Sequence, residues 1–193
     1  MMVPTRKPTA RAGIGGARLA RLLLCTAIFA AGAVRADSGF IPVVSTSPVS
    51  SSMPSVSRVV VRKAARRMEL LNGEAVVRSY RISLGLRPQG HKEREGDFRT
   101  PEGRYYLTRR NPRSDFFLSI QVSYPNESDM KRAKSNGWQP GGSIMIHGLP
   151  NSLKREPEYY FRDWTDGCIA VSNSDMVEIW LLTQDNTPID ILP

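Results

Sequence analysis

Residues 66–81, RRMELLNGEAVVRSYR, constrain the fold more than any other stretch of the chain. Asn72-Gly73 separates two runs in which apolar residues alternate with polar ones. Asn-Gly between alternating runs is a strong two-residue hairpin signal, so this segment predicts a pair of antiparallel strands. The pattern recurs downstream. Thr100-Pro101-Glu102-Gly103 reads as a turn leading into a strand, FFLSIQVSYP is rich in aromatic and β-branched residues, GGSIMIHG is a short apolar strand ending at His147, and TPIDILP closes the chain as a strand. Only two segments carry helix signals. NESDMKRAKSNG has Asn126 or Ser128 as cap and Gly137 as stop; SNSDMVEIWLLTQDN has Ser172 as N-cap, with Asp175 completing a capping-box pattern. Several short strands with two short helices predict a mainly β domain over residues 58–193, the size of one compact unit.

The N-terminus has a different character. Arg6, Lys7, Arg11, Arg18 and Arg21 precede the apolar run LLLCTAIFAAGAV, and no acid occurs before Asp37. The run is too short to span a bilayer comfortably and ends in VRAD. A basic start, a short apolar core and small Ala36 at its end predict a secretory signal peptide over residues 1–36, with Cys25 inside it. Residues 37–57, DSGFIPVVSTSPVSSSMPSVS, have no charge after Asp37 and read as a Ser/Pro-rich linker. The formal charge of +9 is therefore misleading. Without Arg35 and the five leader cations above, 21 Lys and Arg face 18 Asp and Glu, a net of +3. That is no nucleic-acid footprint, but it suits an exported protein in an anionic envelope. The expected location is the periplasm, with no transmembrane span in the mature chain.

Export makes the cysteine count informative. Cys168 is the only cysteine left after the leader. Exported proteins usually pair their cysteines, so a lone one is a reactive thiol, half of an intermolecular bridge or a small buried hydrophobe. A catalytic thiol needs a base, because an unperturbed cysteine is mostly protonated at neutral pH. The chain has two histidines, His91 in the polar loop GHKEREGD and His147 at the end of an apolar strand. His147 is the favoured partner, since rigid elements usually place functional side chains at their ends.

His147 is followed by Gly148, then after residues 148–164 by Thr165-Asp166-Gly167-Cys168-Ile169. This resembles the YkuD-type L,D-transpeptidase pattern, a histidine followed at such a spacing by Ser/Thr-His-Gly-Cys and an apolar residue. The Thr-Pro-Glu-Gly turn at 100–103 also resembles the family's Thr-Pro-x-Gly segment. The likeness covers residues 58–193. It implies a compact β-sandwich or barrel-like catalytic domain with two short flanking helices. It also implies Cys168 as nucleophile, His147 as base, the Gly148 carbonyl orienting the imidazole, and backbone N–H groups at Gly167 and Cys168 holding an oxyanion. The implied substrate is a diaminopimelate-containing stem peptide of peptidoglycan, with an envelope protein as an alternative acceptor and no metal or cofactor.

Two positions depart from the pattern. Asp166 stands where the family usually has histidine, and Ala170 where it has Asn or Arg. The form DWTDGCIAVSN resembles the branch that includes YafK-type proteins, some of which hydrolyse bonds at diaminopimelate. Crosslinking and hydrolysis thus both remain open, as does a non-catalytic envelope-binding module. The segment GLPNSLKREPEYYFRDWTDG is expected to form a wall or lid. Tyr159, Tyr160, Phe161 and Trp164 are candidate pocket aromatics, and Lys154, Arg155 and Arg162 candidate partners for substrate carboxylates. Tyr160, Arg162, Trp164 and Asp166 are the expected substrate-binding set.

Overall fold

The computed structural model describes residues 55–152, 159 and 162–193. The expected leader, most of the Ser/Pro-rich segment, and Lys154, Arg155, Tyr160 and Phe161 lie outside the described residues. The described chain is mainly β. Strands β1 (Arg58–Arg62), β2 (Arg67–Asn72), β3 (Ala75–Arg81), β4 (Gly103–Ser114), β5 (Phe117–Val122), β6 (Met145–His147), β7 (Ile169–Ala170) and β8 (Pro188–Leu192) are joined by helices α1 (Glu127–Ser135) and α2 (Asn173–Leu182). The strands form one eight-stranded sheet in the order β3-β2-β1-β8-β4-β5-β6-β7.

The hairpin at Asn72-Gly73 forms one residue later than expected. Asn72 pairs with Ala75, so the two-residue loop is Gly73-Glu74. Gly73 has φ +59, the left-handed conformation that makes glycine the natural occupant of a tight hairpin turn. The two ends of the domain meet at its centre, where β8 pairs in parallel with β1 and antiparallel with β4. Alternate residues Val59, Val61, Ile189 and Ile191 of β1 and β8 are buried, as period-two strands require.

The sheet also curls toward closure. Past β3, Ser83 bridges antiparallel to Ala170 of β7, exchanging N–H···O bonds of 2.9 Å in both directions. The chain following the first edge strand thus reaches the last one, a barrel-like closure that shields an edge. Helix α1 begins at Asn126, whose side chain accepts from the Asp129 N–H while the Asp129 carboxylate accepts from the Asn126 N–H. Helix α2 begins at Ser172, whose Oγ accepts from the Asp175 N–H, and it buries Met176, Ile179 and Leu182 against the sheet. Among the described residues no helix is long and apolar enough to cross a membrane.

Candidate active site

The spacing between His147 and Cys168 has a geometric origin. β6 and β7 are parallel, with Ile146 opposite Ile169 and His147 opposite Ala170. Two parallel strands cannot be joined by a tight turn, so the chain needs a long crossover, here residues 148–168. Stepping the register back by one places Cys168 across from Met145. Met145 and His147 share a face of β6, so His147 and Cys168 project from the same face as diagonal neighbours. Both line one cavity of about 560 Å³, together with Arg113, Phe116, Ser143, Trp164 and Asp166.

His147 is only 4 % exposed. Its Nδ1 lies 2.7 Å from the Gly148 carbonyl oxygen. A carbonyl can only accept, so Nδ1 carries the proton and Nε2 keeps the lone pair of a base. Gly148 allows this closeness, because a Cβ there would stand 2.5 Å from Asn173 Oδ1 and 3.0 Å from Phe117 Cβ. Phe116 packs 4.6 Å from the imidazole between ring centroids, and Trp164 meets it edge-on at 5.6 Å. This burial pushes the His147 pKa down from 6.5 to about 4, with the Gly148 carbonyl opposing the shift.

Cys168 sits after a turn that is fixed by Thr165. The buried Thr165 Oγ1 donates to the Cys168 carbonyl at 2.7 Å and accepts the Gly167 N–H at 3.2 Å. Gly167 has φ +132, and a Cβ there would lie 2.6 Å from the Arg99 carbonyl oxygen. Burial pushes the Cys168 thiol above its ordinary value. The Met145 N–H works against this, the Asp166 carboxylate adds to it, and Lys92 opposes it. The thiol lies 3.6 Å from the Ser143 carbonyl oxygen. Ser143 itself is at φ +55, and with Gly141 at φ +73 it breaks the extended geometry expected of GGSIMIHG, so the strand starts only at Met145. The pair therefore rests as neutral thiol and neutral imidazole, not as the ion pair an activated cysteine often forms.

Of the remaining expected residues, Trp164 and Asp166 line the cavity. Arg162 does not. It faces a separate hollow with Arg66, Arg81 and Asp163, because the Asp163 carboxylate is held by the Arg66 guanidinium at 2.7 Å and by the Leu84 N–H at 2.9 Å. Tyr159 packs behind Trp164, ring centroids 5.0 Å apart. The Gly167 amide is engaged by Thr165, whereas the Cys168 amide donates to nothing among the described residues. His91 is built into the scaffold: its Nδ1 accepts the Glu102 N–H at 3.0 Å, and Nε2 sits 3.0 Å from Asp129 Oδ1, off the line of a good hydrogen bond. Sequence reading missed Arg113 and Phe116 at the tip of the β4–β5 hairpin. The only local hint was an aromatic pair, Phe116-Phe117, beside the turn residues Ser114-Asp115. Among the described residues no His, Cys, Asp and Glu cluster could hold a metal.

A family model described as the YkuD L,D-transpeptidase catalytic domain matches residues 57–191. The chain belongs to this family. YafK of Escherichia coli (strain K12) is 31 % identical in a 148-residue alignment that covers 70 % of this chain and 52 % of YafK. Among solved structures, the helical cell shape determining protein Pgp2 of Campylobacter jejuni is 28 % identical with a TM-score of 0.55, covering 70 % of this chain and 47 % of Pgp2. Bd1075 of Bdellovibrio bacteriovorus is 28 % identical with a TM-score of 0.50, covering 72 % of this chain and 48 % of Bd1075. The chain thus spans about half the length of these relatives.

Proposed function

We propose that this YkuD domain is an exported cysteine enzyme acting on stem peptides of peptidoglycan, an L,D-transpeptidase that forms crosslinks through a Cys168 thioester. The observation that carries the reading is the placement of Cys168 and His147 on one face of the β6–β7 pair, with Nδ1 committed to the Gly148 carbonyl and Nε2 left as base. A neutral pair points to general-base catalysis, in which the proton moves as the bond forms. Sγ attacks the substrate carbonyl while its proton passes to Nε2, forming a C–S bond and a tetrahedral oxyanion. The Cys168 N–H, which donates to nothing among the described residues, suits that oxyanion. Collapse breaks the C–N bond, and Nε2 returns the proton to the leaving amine. An acceptor amine then attacks the thioester, giving its proton to Nε2 and restoring the thiol. Water in place of the amine gives hydrolysis from the same intermediate.

Mass spectrometry of muropeptides incubated with the protein separates these outcomes. New crosslinked species are expected. Released fragments alone mean a hydrolase, and an unchanged mixture means a binding module. Cys168→Ser is expected to abolish turnover while preserving the fold, since a hydroxyl is a much weaker nucleophile on the same base. A fully active serine variant would sink the thioester. Export carries its own test: N-terminal sequencing from the envelope fraction should begin at Asp37, and a full-length chain embedded in the membrane overturns the cleaved leader.

A further inference from the structure

Two opposite charges line the Cys168 cavity without neutralising each other. Asp166 lies on the nucleophile turn and Arg113 at the end of β4. Both are exposed, and neither has a salt-bridge partner among the described residues. The other charged residue of the lining is Asp115, on the same hairpin tip as Arg113. Asp166 is therefore the carboxylate on the nucleophile's own turn, and the hairpin tip brings Arg113 to it from a different element. Ala170, where the family pattern has Asn or Arg, is 2 % exposed and hydrogen-bonded to Ser83 on its sheet edge, so that position contributes no charge here.

An unpaired carboxylate beside a thiol works against the loss of the thiol proton that accompanies attack. Its presence makes physical sense if the ligand brings a positive charge to that spot. We propose that Asp166 and Arg113 are a bipolar specificity site, reading the ammonium and the carboxylate of one zwitterionic amino-acid end of the substrate. The side-chain end of diaminopimelate, with both groups on a single carbon, is the chemistry that fits. The inference rests on the stem-peptide reading above and deepens it. It gives Asp166 two opposed effects. Before substrate binds, its charge adds to the burial that keeps the thiol protonated. When the substrate ammonium arrives, that charge is cancelled, so the ligand itself removes the part of the barrier to proton loss that Asp166 supplies.

The test is a binding cycle in the full chain carrying Cys168→Ser, which removes turnover. A diaminopimelate-containing tetrapeptide is titrated calorimetrically beside two derivatives, one acetylated on the side-chain amine and one amidated on the side-chain carboxylate. Asp166→Asn should weaken the parent peptide about tenfold and leave the acetylated one unchanged, since one charge-assisted hydrogen bond is lost only where the ammonium exists. Arg113→Gln should do the same to the parent and spare the amidated peptide. The derivatives probe the same contacts with the site intact, so the result does not depend on how the variants fold. With Cys168 restored, Asp166→Asn should alkylate faster with iodoacetamide while processing muropeptides more slowly, two changes of opposite sign that a purely structural role does not produce. Equal losses on all three peptides, or an acetylated peptide that binds as tightly as its parent, overturn the inference. Muropeptide turnover by the unsubstituted protein tests the underlying enzymatic reading separately.

Discussion

His147 and Cys168 present a thiol held up and an imidazole held down, both by burial. A preformed thiolate–imidazolium pair would show the reverse. The difference is measurable through the pH dependence of Cys168 alkylation by iodoacetamide. The apparent pKa should lie at or above that of a free cysteine, and His147→Ala should leave it nearly unchanged. Turnover of muropeptides by the same variant should fall at least about a hundredfold, because general-base assistance is worth that much or more. A depressed thiol pKa that returns to normal in His147→Ala would establish the ion pair instead. His91→Ala serves as a structural comparison, since that ring links Glu102 to Asp129 and does not line the cavity. That His147 and Cys168 share one cavity was legible in the sequence through scarcity, strand-end position and the family-like spacing. Their protonation was not, because it depends on how the fold buries the imidazole, with Phe116 and Trp164 packed against it. Phe116 reaches it from a hairpin tip more than thirty residues away in sequence.

The element that turns these residues into a site is the tight turn Thr165–Cys168. The motif was readable, but its mechanics were not, since they rest on Thr165 Oγ1 bridging the turn and on Gly167 packing against the Arg99 carbonyl. That carbonyl belongs to the loop between β3 and β4, which no periodicity connects to Cys168. Thr165→Val keeps the shape and removes both hydroxyl bonds, leaving the buried Gly167 N–H without an acceptor. It should cost about 1–3 kcal/mol and reduce turnover, with Thr165→Ser restoring most of both. Gly167→Ala should be worse, because it combines a φ of +132 with a Cβ contact of 2.6 Å to backbone. Thermal melts and alkylation rates of the three variants check the order. A Thr165→Val protein with unchanged stability and rate would show that the hydroxyl does not set the turn. The helix caps, by contrast, were written locally: Asn126 and Ser172 each lie within three residues of the N–H they accept.

Across the whole molecule, the hairpins followed from local signals, whereas the arrangement of the sheet came from pairings that local signals do not encode. β1 lies against β8, and Ser83 closes onto Ala170, through contacts between residues more than eighty positions apart. Period-two alternation names a strand and its buried face but not its neighbour. The closed sheet has a consequence for stability, because it buries His147 in its neutral form. The imidazole titrates near pH 6.5 when the chain is unfolded and at about 4 when folded. Between those values the unfolded state binds more protons, so stability is fully present above about pH 6.5 and is lost as pH falls toward 4. At roughly 1.4 kcal/mol per pKa unit, the loss attributable to this one group is about 3 kcal/mol. The carboxylate of Asp97 is held below its usual 3.8 by the Lys92 ammonium and three backbone N–H groups, in spite of its burial, so its contribution fades only at lower pH. Urea midpoints measured from pH 7 to 4.5 should therefore fall steadily in the unsubstituted protein and much less in His147→Gln, whose side chain does not titrate. Parallel curves for the two proteins would mean that His147 is hydrated in solution and that the cavity is wetter than its aromatic walls imply.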